Sequence, residues 1–149
     1  MSQVRERLRV ALTSNSYRIL GEYNPANKES FFVIAFTSED LAAVSVKYKD
    51  RGALGSILKA AIRQEANTIE VSFINPEYMF NAYFMEGIND QRSSLISISD
   101  KVKSTLKGLG RGLSSFGGEL EEEDLQEYQY MWGMPEFTDP VKLKEFSSF

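Results

Sequence analysis

Ser56-Ile57-Leu58-Lys59-Ala60-Ala61-Ile62-Arg63, then Ile69-Glu70-Val71-Ser72-Phe73-Ile74 after a short polar connection, is the stretch on which the fold turns. The second half alternates apolar and polar residues with the period of a half-buried strand. The first half has two readings. Leu54, Leu58, Ala61 and Ile62 fall at helical spacing, and the paired alanines favour a helix. Residues 64–68 instead look like a hairpin loop, which makes 57–63 the partner strand of 68–74. Periodicity alone leaves both open.

Upstream the pattern is clearer. Residues 3–14 place Val4, Leu8, Ala11 and Leu12 on one helical face. Tyr17-Arg18-Ile19-Leu20-Gly21-Glu22-Tyr23 reads as a strand closed by Asn24-Pro25, because proline drives the preceding residue out of the α region. Phe31-Phe32-Val33-Ile34-Ala35-Phe36 is a near-continuous apolar run, as expected of a strand over 30–36 buried on both faces and paired with 17–23. Thr37 or Ser38 caps a helix expected over 39–49, with Glu39 and Asp40 at the positive end of its dipole.

Downstream, Asn75 caps and Pro76 opens a helix over 76–84. Leu95, Ile98, Val102, Leu106 and Leu109 recur at spacings of three and four, the cleanest helical stripe in the chain, over 93–108. A glycine-rich and acidic connection at 108–124 leads to an expected last strand at 126–133 with Tyr128, Tyr130 and Trp132 on one face, and then to a tail carrying Phe137. The expectation is therefore one α+β domain, two-layered, with a largely antiparallel sheet of about five strands packed by helices.

Two strand exits share a form. Tyr17–Leu20 runs into Gly21-Glu22-Tyr23-Asn24-Pro25, and Val71–Ile74 into Asn75-Pro76-Glu77-Tyr78-Met79. In these two islands the chain resembles the family called domain of unknown function 302, whose members close such strands in asparagine- or aspartate-proline. The strand at Phe31–Phe36, the helix after it and the long C-terminal extension depart from that pattern. The resemblance implies a compact α+β domain, often dimeric, with 57–63 and 69–74 as a β-hairpin. It implies no catalytic residue.

Composition narrows the chemistry. At 149 residues the chain suits one domain with a real core, and 42% hydrophobic with 26% charged residues is a globular balance. It has no histidine and no cysteine. Serine–histidine and cysteine–histidine hydrolysis, thiolate metal sites and imidazole zinc sites are thereby excluded, and no cofactor or metal is expected. Met1–Arg9 lacks the apolar stretch of a secretory signal, and no apolar run approaches bilayer length, so the expected location is cytoplasmic with no membrane span. Residues 1–111 carry a net +3 and residues 112–149 a net −7, giving the overall −4. Basic residues are scattered, so no nucleic-acid partner is expected.

Lys107-Gly108-Leu109-Gly110-Arg111-Gly112 lacks the P-loop pattern and ends a helix where phosphate sites begin one, so it reads as a linker. Glu119, Glu121, Glu122, Glu123 and Asp124 lack the spacing of a calcium loop. The twin Asn-Pro exits suggest a polar rim for a small ligand, formed by Arg18, Asn24, Asn75, Glu77 and Tyr78, although termination and capping explain the same residues. Tyr128, Tyr130, Trp132 and Phe137 suggest an interface with a second copy or another protein. A non-enzymatic interaction or homo-oligomeric module is the leading expectation. A small-molecule-binding protein or atypical enzyme at the rim is the alternative.

Overall fold

The computed structural model describes residues 1–48, 51–116, 120–126 and 132. The chain is α+β, with a four-stranded antiparallel sheet in the order β1-β2-β3-β4. Helix α1 (Ser2–Ser14) precedes β1 (Arg18–Tyr23) and β2 (Phe31–Thr37). Helices α2 (Glu39–Ser45) and α3 (Gly52–Gly55) lead to β3 (Leu58–Glu65) and β4 (Thr68–Phe73). Helix α4 (Pro76–Phe84), a 3₁₀ segment (Met85–Gln91), α5 (Arg92–Lys107) and α6 (Glu122–Gln126) follow.

The ambiguous segment is a strand. Ala60 is fully buried opposite Ile34 and Phe73, and Ile62 opposite Phe32 and Val71, so tertiary contacts override the helical propensity of the alanines. The hairpin turns at Ala66-Asn67, with Ala66 at φ 49°. Hairpin pairing of β1 with β2 is also present, in the register Ile19 to Phe36 and Tyr23 to Val33. A bulge at Leu20 breaks that register and twists this edge strand.

One face of the sheet carries the core. Phe32, Ile34, Phe36, Leu58, Ala60 and Ile62, with Ile19, Ile69, Val71 and Phe73 beside them, meet Leu8, Leu12, Leu41, Phe80, Leu95 and Val102 of the helices. Tyr17 stands edge-on to Phe36 at 5.3 Å. Helix α1 is pinned to the sheet by Arg9, which donates from Nε to Glu22 Oε1 at 2.7 Å and from Nη2 to Glu22 Oε2 at 2.6 Å. The Arg5 guanidinium lies 4.4 Å over the Phe32 ring.

Four strands appear among the described residues, and two expectations need correction. Gln126, expected to begin the last strand, ends α6 instead, because Leu125 buries its side chain while Gln126 Nε2 donates to Asn81 Oδ1 of α4 at 2.9 Å. Residues 127–131 and 133 of that expected strand lie outside the described residues, and Trp132 sits in a turn. The helix expected over 39–49 stops at Ser45, because Gly52 packs against the Ser45 carbonyl so closely that a Cβ would overlap it.

Candidate functional site

The rim residues do not converge. All neighbouring strands are antiparallel, so β1 and β4 run in opposite directions and their exits lie at opposite ends of the sheet. Arg18, Asn75, Glu77 and Tyr78 share one end, with Arg18 on the far edge strand, three strand spacings or about 14 Å away. Asn24 lies at the other end.

Local bonds occupy most of these side chains. Asn24 Nδ2 donates to the carbonyls of Lys28 at 3.1 Å and Phe31 at 2.6 Å, closing the β1–β2 connection. Asn75 Oδ1 accepts from the Glu77 amide at 3.3 Å and caps α4. Glu77 Oε1 accepts from Lys103 Nζ at 2.5 Å and from Ser99 Oγ at 2.8 Å. The Lys103 hydrogen bond holds the Glu77 carboxyl below the usual carboxylate range, against an opposing effect of burial. Tyr78 is partly exposed on α4 and Arg18 is exposed on β1. Tyr128, Tyr130 and Phe137 lie outside the described residues, while Trp132 is fully exposed.

Two other regions gather chemistry. The first is the sheet face turned away from the core. By strand alternation it presents Arg18, Gly21 and Tyr23 from β1, and Phe31, Val33, Ala35 and Thr37 from β2. It adds Lys59, Ala61 and Arg63 from β3, and Glu70 and Ser72 from β4. Its centre is small and uncharged: Gly21, Ala35, Ala61, Ser72 and the buried Val33. None of these belongs to the described core cluster. Around them, Leu20, Tyr23, Ile57 and Ile74 are 41–53% exposed, a level at which association has apolar area to remove from water.

The second region is a cleft of about 440 Å³ between the end of α2, the end of α4 and the 3₁₀ segment. Lys47, Tyr48, Arg51, Tyr83, Phe84, Met85, Gly87, Asp90 and Gln91 line it. Tyr48 stacks on Phe84 with ring centroids 4.1 Å apart. Glycines make that wall possible, since a Cβ at Gly55 would overlap the Phe84 ring and one at Gly87 would lie 3.1 Å from Tyr48 Cε1. Lys47 Nζ donates to Gln91 Oε1 at 2.8 Å. The Tyr48 hydroxyl is buried with no hydrogen-bond partner, and burial, together with the charge of Asp90, raises its pKa. Met85 holds φ 51°, a strained value for a side chain without a ring or short polar group.

Neither region announces itself locally in the sequence. The cleft residues are spread over 45 positions and three turns. The glycines at 52, 55 and 87 are the one signal that something packs closely there. No described helix is long and apolar enough to cross a membrane, and no group of three or more acidic, histidine or cysteine side chains among the described residues could hold a metal ion. Comparison with protein-family models and with curated proteins returned no match.

Proposed function

We propose that the protein is a non-enzymatic interaction module that self-associates through the coreless face of its sheet, with the helices as a second layer behind it. The observation that carries this reading is the pattern on β2. Phe32, Ile34 and Phe36 fill the core, while Phe31, Val33, Ala35 and Thr37 on the other side carry no charge. A central strand with a wholly uncharged outer side is fitted for burial on both faces.

A second copy is the occupant that the charges favour. A twofold axis parallel to the strands, between β2 and β3, lays each β3 of one copy over β2 of the other. Lys59 and Arg63 then face uncharged residues, and Arg63 comes over an aromatic ring at Phe31. An axis across the strands would oppose Lys59 to Arg63, at a cost in like-charge repulsion. The small central side chains permit sheet-on-sheet packing at about 10 Å. Edge-to-edge pairing is less suited, because the Leu20 bulge disrupts the β1 edge. The dimeric habit implied by the resemblance to domain of unknown function 302 agrees with this reading.

Four strands of six to eight residues give a flat footprint of about 400 Å² per copy, at the small end for specific interfaces, so micromolar association is expected. Sedimentation over a concentration series tests it. Wild type should pass from monomer to dimer, and Ala61→Lys, which points outward beside Lys59 and Arg63, should stay monomeric with an unchanged circular dichroism spectrum. A wild type that remains monomeric throughout, or a dimer indifferent to Ala61→Lys, overturns the reading.

A further inference from the structure

We propose that the outer edge of β4 binds an extended segment of a partner protein by strand addition, the segment carrying apolar residues at alternate positions and a lysine or arginine opposite Glu70. The strands run in the order β1-β2-β3-β4, so β4 has β3 on one side and an open edge on the other among the described residues. The register fixes which groups line that edge. Gln64 of β3 donates its N–H to the Ser30 carbonyl at 2.8 Å, so the even-numbered residues of β3 bond toward β2 and the odd-numbered ones toward β4. Across the β3–β4 pair, Ala61 faces Ser72 and Arg63 faces Glu70. Ser72 and Glu70 therefore bond inward, and Ile69, Val71 and Phe73 turn their N–H and C=O groups outward. An added antiparallel strand can exchange a pair of hydrogen bonds with each of them.

This edge lacks the devices that keep strands from pairing. The β1 edge is broken by the bulge at Leu20, whereas Thr68–Phe73 keeps an unbroken register and contains no proline and no lysine. The core is also open there. Leu58, Ala60 and Ile62 of β3 are at most 3% exposed, while Ile69, Val71 and Phe73, on the same side of the sheet and packed on the same core, are only half-buried. Apolar side chains on an added strand would cover what these three leave in water. On the opposite side Glu70 is exposed, and its cross-strand neighbour Arg63 bonds Glu65 at 3.0 Å. The residue opposite Glu70 on an added strand stands in a non-hydrogen-bonded pair, where side chains approach most closely, so a cation there completes the match. The β4 strand of a second copy would bring Thr68, Glu70 or Ser72 to that place, none of them cationic, which favours a different protein.

The probe is the capped peptide Thr-Val-Thr-Val-Lys-Val-Thr, which in antiparallel register sets its valines against Phe73, Val71 and Ile69 and its lysine against Glu70. Amide hydrogen exchange on the full chain, read by NMR, reports the edge directly. In the free protein the Ile69, Val71 and Phe73 amides should exchange fast while Glu70 and Ser72 stay protected, and saturating peptide should slow the first three by about tenfold or more. Replacing the peptide's lysine with glutamate should weaken binding about fivefold, and Glu70→Lys should reverse that preference. Val71→Pro removes an outward N–H while leaving the bonds to β3 in place, and should abolish binding. Amides at 69, 71 and 73 that are already protected in the free protein would give the edge to the chain itself or to a second copy and overturn the proposal. An absence of saturable binding, or a Glu70→Lys protein that still prefers lysine, would overturn it too. The face-to-face dimer is tested separately, since Ala61→Lys protein should bind the peptide like wild type.

Discussion

Gly55→Ala adds one methyl group at a point where the structure has no room for it. The new Cβ would lie 2.5 Å from Phe84 Cζ and nearer still to Cε1, against a carbon–carbon optimum of about 3.5–4.0 Å. Phe84 is 3% exposed and cannot swing into solvent. On one side it stacks on Tyr48, and 5.5 Å away lies the fully buried Phe80. Overpacking of this kind costs about 1–3 kcal/mol, and the better helix propensity of alanine in α3 returns up to about 1 kcal/mol. The net expectation is a loss of about 1–2 kcal/mol, or about 2–8 °C in melting temperature at this chain length. Thermal and urea unfolding followed by circular dichroism would measure it. Gly112→Ala is the control, because nothing lies within 4 Å of its added Cβ, and it should be neutral. In the background of Phe84→Leu, the cost of Gly55→Ala should shrink, giving a coupling of order 1 kcal/mol. A Gly55→Ala protein as stable as wild type would refute the packing argument and, with it, the built character of the cleft wall.

The other predictions concern single groups. Burial pushes the Tyr17 hydroxyl up to about 12 from 10.0, so its contribution is present below pH 10 and lost as pH rises toward 12. Tyr17→Phe should flatten the alkaline unfolding profile measured by fluorescence or circular dichroism. The Glu22 and Glu77 carboxyls are lowered by hydrogen bonds from Arg9 and Lys103, so their stabilisation is present above the unfolded carboxylate pKa of 4.5 and lost as pH falls below it. Glu22→Gln and Glu77→Gln should each reduce the acid sensitivity of the melting temperature, by a modest amount because both pairs are partly exposed. Ala66→Gly in the hairpin turn relieves a positive φ and should stabilise the chain by up to about 1 kcal/mol in urea unfolding; a clear destabilisation would count against the turn geometry.

Local signals carried much of the fold. The stripe of Leu95, Ile98, Val102 and Leu106 is buried in α5, Ser38 Oγ accepts from the Leu41 amide, and Asn75 caps α4. These features depend on neighbours within one helical turn. Segment 58–65 did not, because its alanines match strand structure only through Ile34 and Phe73, which lie far along the chain. Helix α6 is hidden in an acidic run whose glutamates suit a helix N-terminus but show no stripe, and one residue, Leu125, provides its buried contact. The paired Asn-Pro exits misled for a topological reason. Similar exits share a rim when their strands run the same way, whereas three antiparallel steps separate β1 from β4.

The apolar run Phe31–Phe36 is where sequence and structure bear most directly on function. An antiparallel sheet with one wet face alternates polar and apolar residues along each strand. The third strand does so, with Lys59 and Arg63 outward of Leu58, Ala60 and Ile62. The second does not, and Val33 is as buried as its core-facing neighbours while lying outside the described core cluster. Folding of one copy accounts for Val33 and Thr37, which are shielded from water without a partner, and the proposed assembly concerns the half-buried Phe31 and Ala35. Substitutions at Ala35 and at Lys59 separate the two demands. Ala35→Lys should weaken self-association far more than it weakens the fold, whereas Lys59→Ala should leave association intact. If both strands tolerate charge equally in sedimentation, β2 owes its composition to something other than a second copy.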